Sequence, residues 1–328
     1  MRGRRSVWSA ARGERARHRG TLTETVRCGA TSELSAALYR AGSGEQVVLI
    51  HGFTGTWHHW RPVLADLVAR YEVIAPTLAG HDGGPPFPAD LEMSFSSATD
   101  SFERHLDELG VGRAHFVGNS LGGAIALELA KRGRARSVVA IAPAGGWLDG
   151  DPELQRLAKL FRRTVRAARM SERLTKLVVR RPGTRRLAFR DAMRNGELVA
   201  PADALAISRA TARCAVADAA IAALAQGRTA PLRELDRISC AVLIASPQFD
   251  RILPAELHAP RFRREIPGVE ARTLVGCGHV PMWDDTAQVV SSICQFIDRQ
   301  SASESPAAGT GTNGYSQEPS PAAPALPS

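Results

Sequence analysis

Short, continuous apolar runs alternate along this chain with longer segments of helical periodicity, and this alternation limits the folds open to it. The apolar runs predict buried strands at residues 47–50, 73–75, 115–117, 138–141, 241–245 and 273–275. Apolar residues three and four positions apart predict helices at about 60–69, 95–109, 121–131 and 286–299. Residues 33–40 predict an antiparallel edge strand. Such an order is typical of the α/β class, with a mostly parallel central sheet and helices on both faces.

Three segments interrupt or extend this rhythm. Residues 144–228 are long, rich in Arg and Ala and helical in pattern, and predict a helical cap (lid) inserted between two parts of a core, 21–143 and 229–300. Residues 1–20 are Arg-rich and hold no apolar stretch long enough for a secretory signal, so they predict a disordered N-terminal extension. Residues 301–328 are mostly Pro, Ala, Ser and Gly and predict a disordered tail, because few large apolar side chains are available for burial.

The formal net charge of +9 and the pI near 10.0 raise the question of an acidic partner. The surplus lies in residues 1–20, with seven Arg against one Glu, and in 144–228, with 17 basic against eight acidic residues. Arg makes up 39 of the 42 basic residues, a bias found in every segment and attributed to base composition, so we expect no nucleic acid partner. An amphipathic run at 154–166 would permit peripheral membrane contact, but a lid helix with a solvated Arg face is favoured.

The sequence also bears on localisation and cofactors. No apolar stretch is long enough for a transmembrane segment, and the five Cys form no CxxC pair. A cytoplasmic protein without a disulfide framework is therefore expected. The histidines of His58-His59 and His81-Asp82 lack the spacing of metal ligands, so we predict neither a metal nor a cofactor.

The pattern Gly118-Asn-Ser120-Leu-Gly122 stands directly between a predicted strand and a predicted helix. This is the pattern of a nucleophile elbow, in which a serine on a sharp turn projects from the carboxyl edge of the sheet. Serine is a weak nucleophile at neutral pH, so it needs a base to take its proton and a carboxylate to orient that base.

Residues able to play those two parts follow later strands. Asp250 and His279 each come directly after a predicted strand, in the order serine, acid, histidine that this architecture requires. We therefore expect both side chains to lie with Ser120 at one edge of the sheet. Asp149, shortly after the preceding strand, remains an alternative acid.

Attack on a carbonyl develops an oxyanion, which needs two backbone N–H donors. Leu121 follows the serine at a helix N-terminus and is one predicted donor. Phe53, in the loop after the first buried strand, is the other, because Gly52 lets that loop bend inward. His51 is expected to brace the same loop by a hydrogen bond.

Four motifs together resemble the α/β-hydrolase superfamily, and in particular its cap-bearing serine esterase-type enzymes. They are HGF at 51–53, GNSLGG at 118–123, FDRILP at 249–254 and GCGHVP at 276–281. The resemblance covers about residues 34–298 and implies the α/β-hydrolase fold, with a catalytic triad of Ser120, Asp250 and His279 and oxyanion donors at Phe53 and Leu121. Serine at 120 departs from the haloalkane dehalogenase and epoxide hydrolase branches, which carry aspartate there.

These observations predict a serine hydrolase that cleaves a carboxylic ester through an acyl-enzyme. A C–C bond hydrolase of the diketone-cleaving kind would use the same triad and a similar cap. A ligand-binding or receptor protein of this fold could keep the triad without turnover. The expected partner is a small, largely apolar ester or acyl substrate, with Trp147 and Phe161 lining its pocket.

Overall fold

An eight-stranded sheet lies at the centre of the protein in this computed structural model, which describes residues 33–304. The strands are β1 (Glu33–Leu34), β2 (Leu38–Ala41), β3 (Gln46–Ile50), β4 (Glu72–Pro76), β5 (Ala114–Asn119), β6 (Ala135–Ile141), β7 (Ala241–Pro247) and β8 (Glu270–Leu274). Their order across the sheet is β1-β2-β4-β3-β5-β6-β7-β8. The pairs β1–β2 and β2–β4 are antiparallel, and every pairing from β4 to β8 is parallel. The predicted α/β class and antiparallel edge are confirmed.

The central strands are buried on both faces. In β3, Val48 and Ile50 belong to one hydrophobic cluster, and Val47 and Leu49 belong to another on the opposite face. This alternation follows from the two-residue period of a strand, and it requires an apolar residue at every position. The continuous apolar runs of the sequence are therefore explained by helices packed against both faces.

The edge strand β8 differs from its neighbours. The prediction of a buried strand at 273–275 was wrong, because only Leu274 of β8 is buried and Val275 lies beyond the strand, exposed to solvent. β8 pairs with β7 alone, so its second edge has no partner strand within the described sheet. A short run of apolar residues does not reveal this difference between an edge strand and a central one.

The helices cover both faces of the sheet. They are α1 (Arg61–Val68), α2 (Phe95–Glu108), α3 (Leu121–Lys131), α4 (Glu153–Ser171), α5 (Thr175–Val178), α6 (Pro182–Phe189), α7 (Pro201–Arg213), α8 (Ala217–Ala225), α9 (Ala255–Glu265) and α10 (Thr286–Glu304). The four helices predicted around the core are confirmed as α1, α2, α3 and α10. Because α10 continues to Glu304, the tail predicted to begin at 301 was wrong for its first four residues. The predicted extension at 1–20 and the rest of the tail lie outside the described residues.

Helices α4 to α8 form a helical insertion, residues 153–225, between β6 and β7. Within it, α4 packs against α7 and α8. The insertion leaves the sheet after the carboxyl end of β6, the edge at which the predicted site residues lie, and its buried side chains join the hydrophobic clusters of both faces. Among residues 33–304, every helix is too short or too polar to cross a bilayer.

Candidate active site

Ser120 occupies the sharp turn between β5 and α3. Its backbone has φ 56° and ψ −115°, a combination that residues other than glycine rarely adopt. Three hydrogen bonds hold this turn: the N–H of Ser120 donates to the Ile141 carbonyl at 2.9 Å, and the Ser120 carbonyl accepts the N–H groups of Ala124 and Ala144, each at 3.0 Å. The serine therefore sits at the carboxyl edge of the sheet and at the N-terminus of α3.

Two glycines make this turn sterically possible. A Cβ atom at Gly118 would lie 2.1 Å from the carbonyl oxygen of Gly122, and a Cβ at Gly122 would lie 2.0 Å from that of Ile50. Neither contact can be relieved by a side-chain movement, since the obstructing atoms are backbone. The spacing of Gly118 and Gly122 around the serine, which the sequence showed, thus has a direct steric cause.

His279 and Asp250 form a buried pair. Nδ1 of His279 lies 2.7 Å from Oδ2 of Asp250, and their side chains are 5% and 0% exposed. The other carboxylate oxygen accepts the backbone N–H groups of Ile252 and Leu253, each at 2.8 Å. Because a carboxylate accepts the hydrogen bond, Nδ1 carries the imidazole proton and Nε2 is left to accept another.

Asp149, the alternative acid, lies elsewhere. Its carboxylate is 65% exposed and accepts a hydrogen bond from Arg233 at 2.7 Å. Asp250 is therefore the acid that the structure brings to His279.

A cavity of about 620 Å³ lies between the sheet edge and the insertion, and both Ser120 and His279 line it. Asn119 links the turn of Ser120 to the loop of His279, because its side-chain amide donates a hydrogen bond to the His279 carbonyl oxygen at 3.0 Å. The serine, the histidine and the acid paired with it thus converge at one edge of the sheet, although Ser120 and His279 lie 159 positions apart in the sequence.

A second, mainly apolar cavity of about 120 Å³ also reaches Ser120. Trp147 and Phe161 lie on its wall, where the sequence expected them. The rings of Phe161, from α4, and Phe53 meet edge to face with centroids 5.0 Å apart, and both residues line both cavities. Ser120 therefore stands at the junction of a small apolar cavity and a larger one, with the two phenylalanines between them.

The loop after β3 turns toward the serine. A Cβ atom at Gly52 would lie 3.3 Å from Cβ of Ser120. His51 accepts the N–H of Leu78 through Nε2 at 2.9 Å, so its Nδ1 carries the proton and donates to the Gly52 carbonyl oxygen at 2.8 Å. The bracing hydrogen bond predicted for His51 is confirmed. Phe53, in this loop, lines the apolar cavity with Ser120, as does Leu121, the first residue of α3.

His59 is a site residue that the sequence did not reveal. It lines the larger cavity with His279, and its Nδ1 is buried without a hydrogen-bond partner in the described chain. Burial, with smaller contributions from the neighbouring His58 and His279, lowers the pKa of His59 to about 4. A neutral imidazole therefore faces the cavity at physiological pH. The sequence His58-His59 does not indicate which of the two histidines faces the cavity, because only tertiary packing decides which one is buried.

Asp284 and Asp285 directly precede α10 but have different hydrogen-bond partners. The Asp285 carboxylate accepts the N–H of Gln288, in the first turn of that helix, at 2.9 Å. Asp284 instead accepts the N–H groups of Gly278 at 2.7 Å, Arg194 at 2.9 Å and Asn195 at 2.7 Å. It therefore ties the loop of His279 to the insertion.

Cys277 lies two residues before His279. Burial raises the pKa of its thiol to about 12, so the thiol is protonated and a poor nucleophile at neutral pH. Within residues 33–304, no group of three or more His, Cys, Asp or Glu side chains is arranged to hold a metal ion.

Comparison with known proteins identifies the family of this chain. The model of the alpha/beta hydrolase family matches residues 47–292, which is most of the chain. The chain therefore belongs to the alpha/beta hydrolase family, and the predicted superfamily is confirmed.

Several similar proteins are named as hydrolases of different kinds. Epoxide hydrolase EphH of Mycobacterium tuberculosis (strain H37Rv) is 33% identical over 208 residues, which are 63% of this chain and 96% of that protein. The 2-hydroxymuconate semialdehyde hydrolase of Pseudomonas sp. (strain CF600) is 37% identical over 113 residues, 33% of this chain and 40% of that protein. A thermophilic esterase from Thermogutta terrifontis superposes with a TM-score of 0.62 at 19% identity, covering 83% of this chain and 99% of that one. These similarities support the general class of hydrolase.

Proposed function

We propose that this protein is a cofactor-independent serine hydrolase that cleaves carboxylic esters. One observation carries the proposal: Ser120, on a strained turn, lines the same cavity as His279, whose ring is oriented by the buried carboxylate of Asp250. A hydroxyl, an imidazole with its Nε2 free to accept a proton, and a carboxylate are the three groups that nucleophilic catalysis by serine requires.

The reaction proceeds in two halves. Nε2 of His279 takes the proton of Ser120 while Oγ forms a bond to the carbonyl carbon of the ester. The imidazolium, stabilised by Asp250, then returns the proton to the departing alkoxide, which leaves as the alcohol and gives an acyl-enzyme. In the second half His279 deprotonates water, the hydroxide attacks the acyl carbon, and the carboxylic acid leaves as Ser120 regains its proton.

Backbone N–H groups of Phe53 and Leu121 hold the oxyanion in both halves. Leu121 opens α3, so the helix dipole adds to its hydrogen bond. The hydrogen bond from His51 to Gly52 fixes the loop that carries Phe53. Removal of one such donor typically costs about 10²–10³ in turnover.

The two cavities suggest how the substrate is divided. The apolar cavity of about 120 Å³ is smaller than the roughly 300–1,000 Å³ of pockets for drug-sized ligands, so we assign to it a short apolar acyl chain. The larger cavity, lined by His59 and by the insertion, takes the alcohol part. In this proposal the insertion is the cap of the site, and the substrate is a small, largely apolar ester.

Serine at the elbow separates this proposal from epoxide opening, despite the relative named as an epoxide hydrolase. Attack by Ser120 Oγ on an epoxide carbon would leave an ether, which has no carbonyl for water to attack. A carboxylate nucleophile would leave an ester, which water can cleave. We therefore expect no turnover of epoxides.

Labelling with a fluorophosphonate, followed by turnover of short-chain nitrophenyl esters, tests the proposal. The native protein should be labelled and should cleave the esters, and Ser120→Ala should abolish both. Ser246→Ala is a matched control, because Ser246 is also buried at the carboxyl end of a strand but lines neither cavity that contains Ser120. This control should retain both activities.

Other outcomes identify the alternatives. Labelling without ester cleavage, together with turnover of a vinylogous diketone, would favour the C–C bond hydrolase, a class represented by the partial match to 2-hydroxymuconate semialdehyde hydrolase. Labelling without turnover of either substrate would favour a ligand-binding protein of this fold. Failure of the native protein to react with the fluorophosphonate would overturn the proposal of a serine nucleophile.

A further inference from the structure

The insertion carries an exposed surface that is both apolar and basic. Half of the ten large apolar side chains exposed within residues 33–304 fall in one stretch: Met170, Leu174, Leu177, Val178 and Leu187. Exposed basic side chains stand among them: Arg173, Lys176, Arg180, Arg181 and Arg186. We call these ten residues the insertion patch. A concentration of exposed large apolar side chains in one short stretch of a chain indicates a site of interaction.

The positive charge of the insertion patch is not neutralised. None of its five basic side chains forms an ion pair within residues 33–304, whereas Arg163 and Arg169, on the same insertion, pair with Asp191 and Asp218. Glu172, the acidic residue nearest in sequence, pairs with Arg213, outside the patch. The patch therefore presents cations and apolar side chains together, with its charge available to an anionic partner.

The larger cavity opens within this patch. Val178 and Leu187 line the cavity that contains Ser120 and His279, and the same two side chains are 37% and 62% exposed to solvent. Residues that face both the cavity and the solvent mark its mouth. A surface that covers the insertion patch would therefore meet the opening of the candidate active site.

We infer that the insertion patch docks on an anionic lipid bilayer and that lipophilic esters pass from the bilayer into the cavity. Leu174 and Leu177 lie three positions apart and beside basic residues. This arrangement suits the boundary between lipid headgroups and acyl chains, where the cations contact phosphates and the leucines contact hydrocarbon. A nucleic acid would satisfy only the charges. Docking itself does not require the hydrolase activity, and only the delivery of esters rests on the proposed function.

Co-sedimentation of the full chain with vesicles tests the inference. Vesicles of phosphatidylcholine with phosphatidylglycerol should bind the protein, and vesicles of phosphatidylcholine alone should bind it much more weakly. Binding should weaken as salt screens the lipid charge. Ser120→Ala should bind as the native protein does. If the hydrolase proposal fails, the native protein itself will bind the vesicles without cleaving esters, so the two failures are distinguishable.

Substitutions separate the apolar and the basic contributions. Leu174→Ser with Leu177→Ser should lower the partition coefficient at least about tenfold, because two apolar side chains no longer enter the bilayer. Arg180→Gln should lower it about fivefold. The matched controls, Leu257→Ser on α9 and Arg228→Gln beyond α8, replace exposed side chains outside the patch and should leave binding unchanged.

Turnover of a short, soluble ester checks that the variants are folded. Neither Leu174 nor Leu177 lines the larger cavity, so turnover should equal that of the native protein. If the Leu174→Ser/Leu177→Ser variant and the Arg180→Gln variant both bind vesicles as the native protein does, another part of the chain binds the membrane and the inference is overturned. Absence of binding to anionic vesicles would overturn the inference as well. So would self-association in solution that the leucine substitutions abolish, since a second copy of the chain would then cover the insertion patch.

Discussion

The loops around Ser120 and the helical insertion are held in place by different means. In the loops, backbone sterics and hydrogen bonds fix the position of each group, as the contacts of Gly122 and Asp250 illustrate. The insertion contributes buried side chains to both hydrophobic clusters, and six of its large apolar side chains stay exposed. Under the proposed function this difference separates two tasks: the core loops position the proposed reacting groups, and the insertion shapes the space around them. Changes in the loops should therefore abolish chemistry, and changes in the insertion should alter it by degree.

The largest contrast is expected between two glycines. Gly122→Ala places a Cβ about 2.0 Å from the Ile50 carbonyl oxygen, so it should lower the free energy of unfolding by about 3 kcal/mol or more and abolish fluorophosphonate labelling. Gly183, in α6 of the insertion, has open space around its position. Gly183→Ala should leave the free energy of unfolding unchanged or raise it by up to about 1 kcal/mol. Urea denaturation measures both. A well-folded Gly122→Ala variant with native labelling would break the comparison.

The second contrast concerns two aspartates. Asp250→Asn should lower the kcat of ester hydrolysis by about 10⁴, because the amide no longer holds His279 in the tautomer that accepts a proton. Asp149→Asn removes an exposed ion pair with Arg233 and should leave kcat unchanged. Steady-state kinetics with a nitrophenyl ester measures both variants. An equal loss of kcat in the two would refute the assignment of the acid.

The junction between the two regions depends on Asp284. Asp284→Ala should lower kcat about 10²-fold, since the loop of His279 loses its tie to Arg194 and Asn195 and a shift near 1 Å is costly in catalysis. Asp285→Ala is the neighbouring control, because it removes the cap of α10 and should cost about 1 kcal/mol of stability with little change in kcat. Both kcat and thermal unfolding are measured. Native kcat in Asp284→Ala would show that the insertion does not position the histidine.

The last contrast is acid sensitivity, which belongs to the core because the insertion contains no histidine. Burial lowers the pKa of both His59 and His81 to about 4, below the value near 6.5 of an unfolded chain. Between these values the unfolded state binds protons that the folded state excludes. The free energy of unfolding should therefore fall as the pH falls from about 6.5 to 4, by up to about 1.4 kcal/mol per pH unit for each histidine.

Urea denaturation across this pH range measures the effect. His81→Gln should reduce the dependence on pH by the share of one histidine, and His59→Gln provides a second variant. Unchanged pH dependence in both variants would contradict the burial of neutral histidines.

The sequence alone predicted the structure correctly where the structural requirement is local. The turn at Ser120 needs small residues at 118 and 122, so the motif predicts its own geometry. The central strands need apolar residues on both faces, so their positions follow from continuous runs such as 47–50. The exposed edge at β8 was missed, because burial of a strand depends on how many neighbouring strands it has, and the short run at 273–275 does not encode that number.

Tertiary structure decided what depends on contacts between distant residues. Asp284 and Asn195 lie far apart in the chain, as do Phe53 and Phe161, and nothing in the local sequence of either pair indicates that they meet. The sequence by itself determined the family, the order of the candidate catalytic residues and the turn that carries the serine. Only the folded chain decided that His279 pairs with Asp250, that His59 faces the cavity and that the insertion divides the space beside Ser120. The physical reason is that backbone requirements are written in adjacent residues, whereas burial and cavity shape arise from side chains that folding brings together.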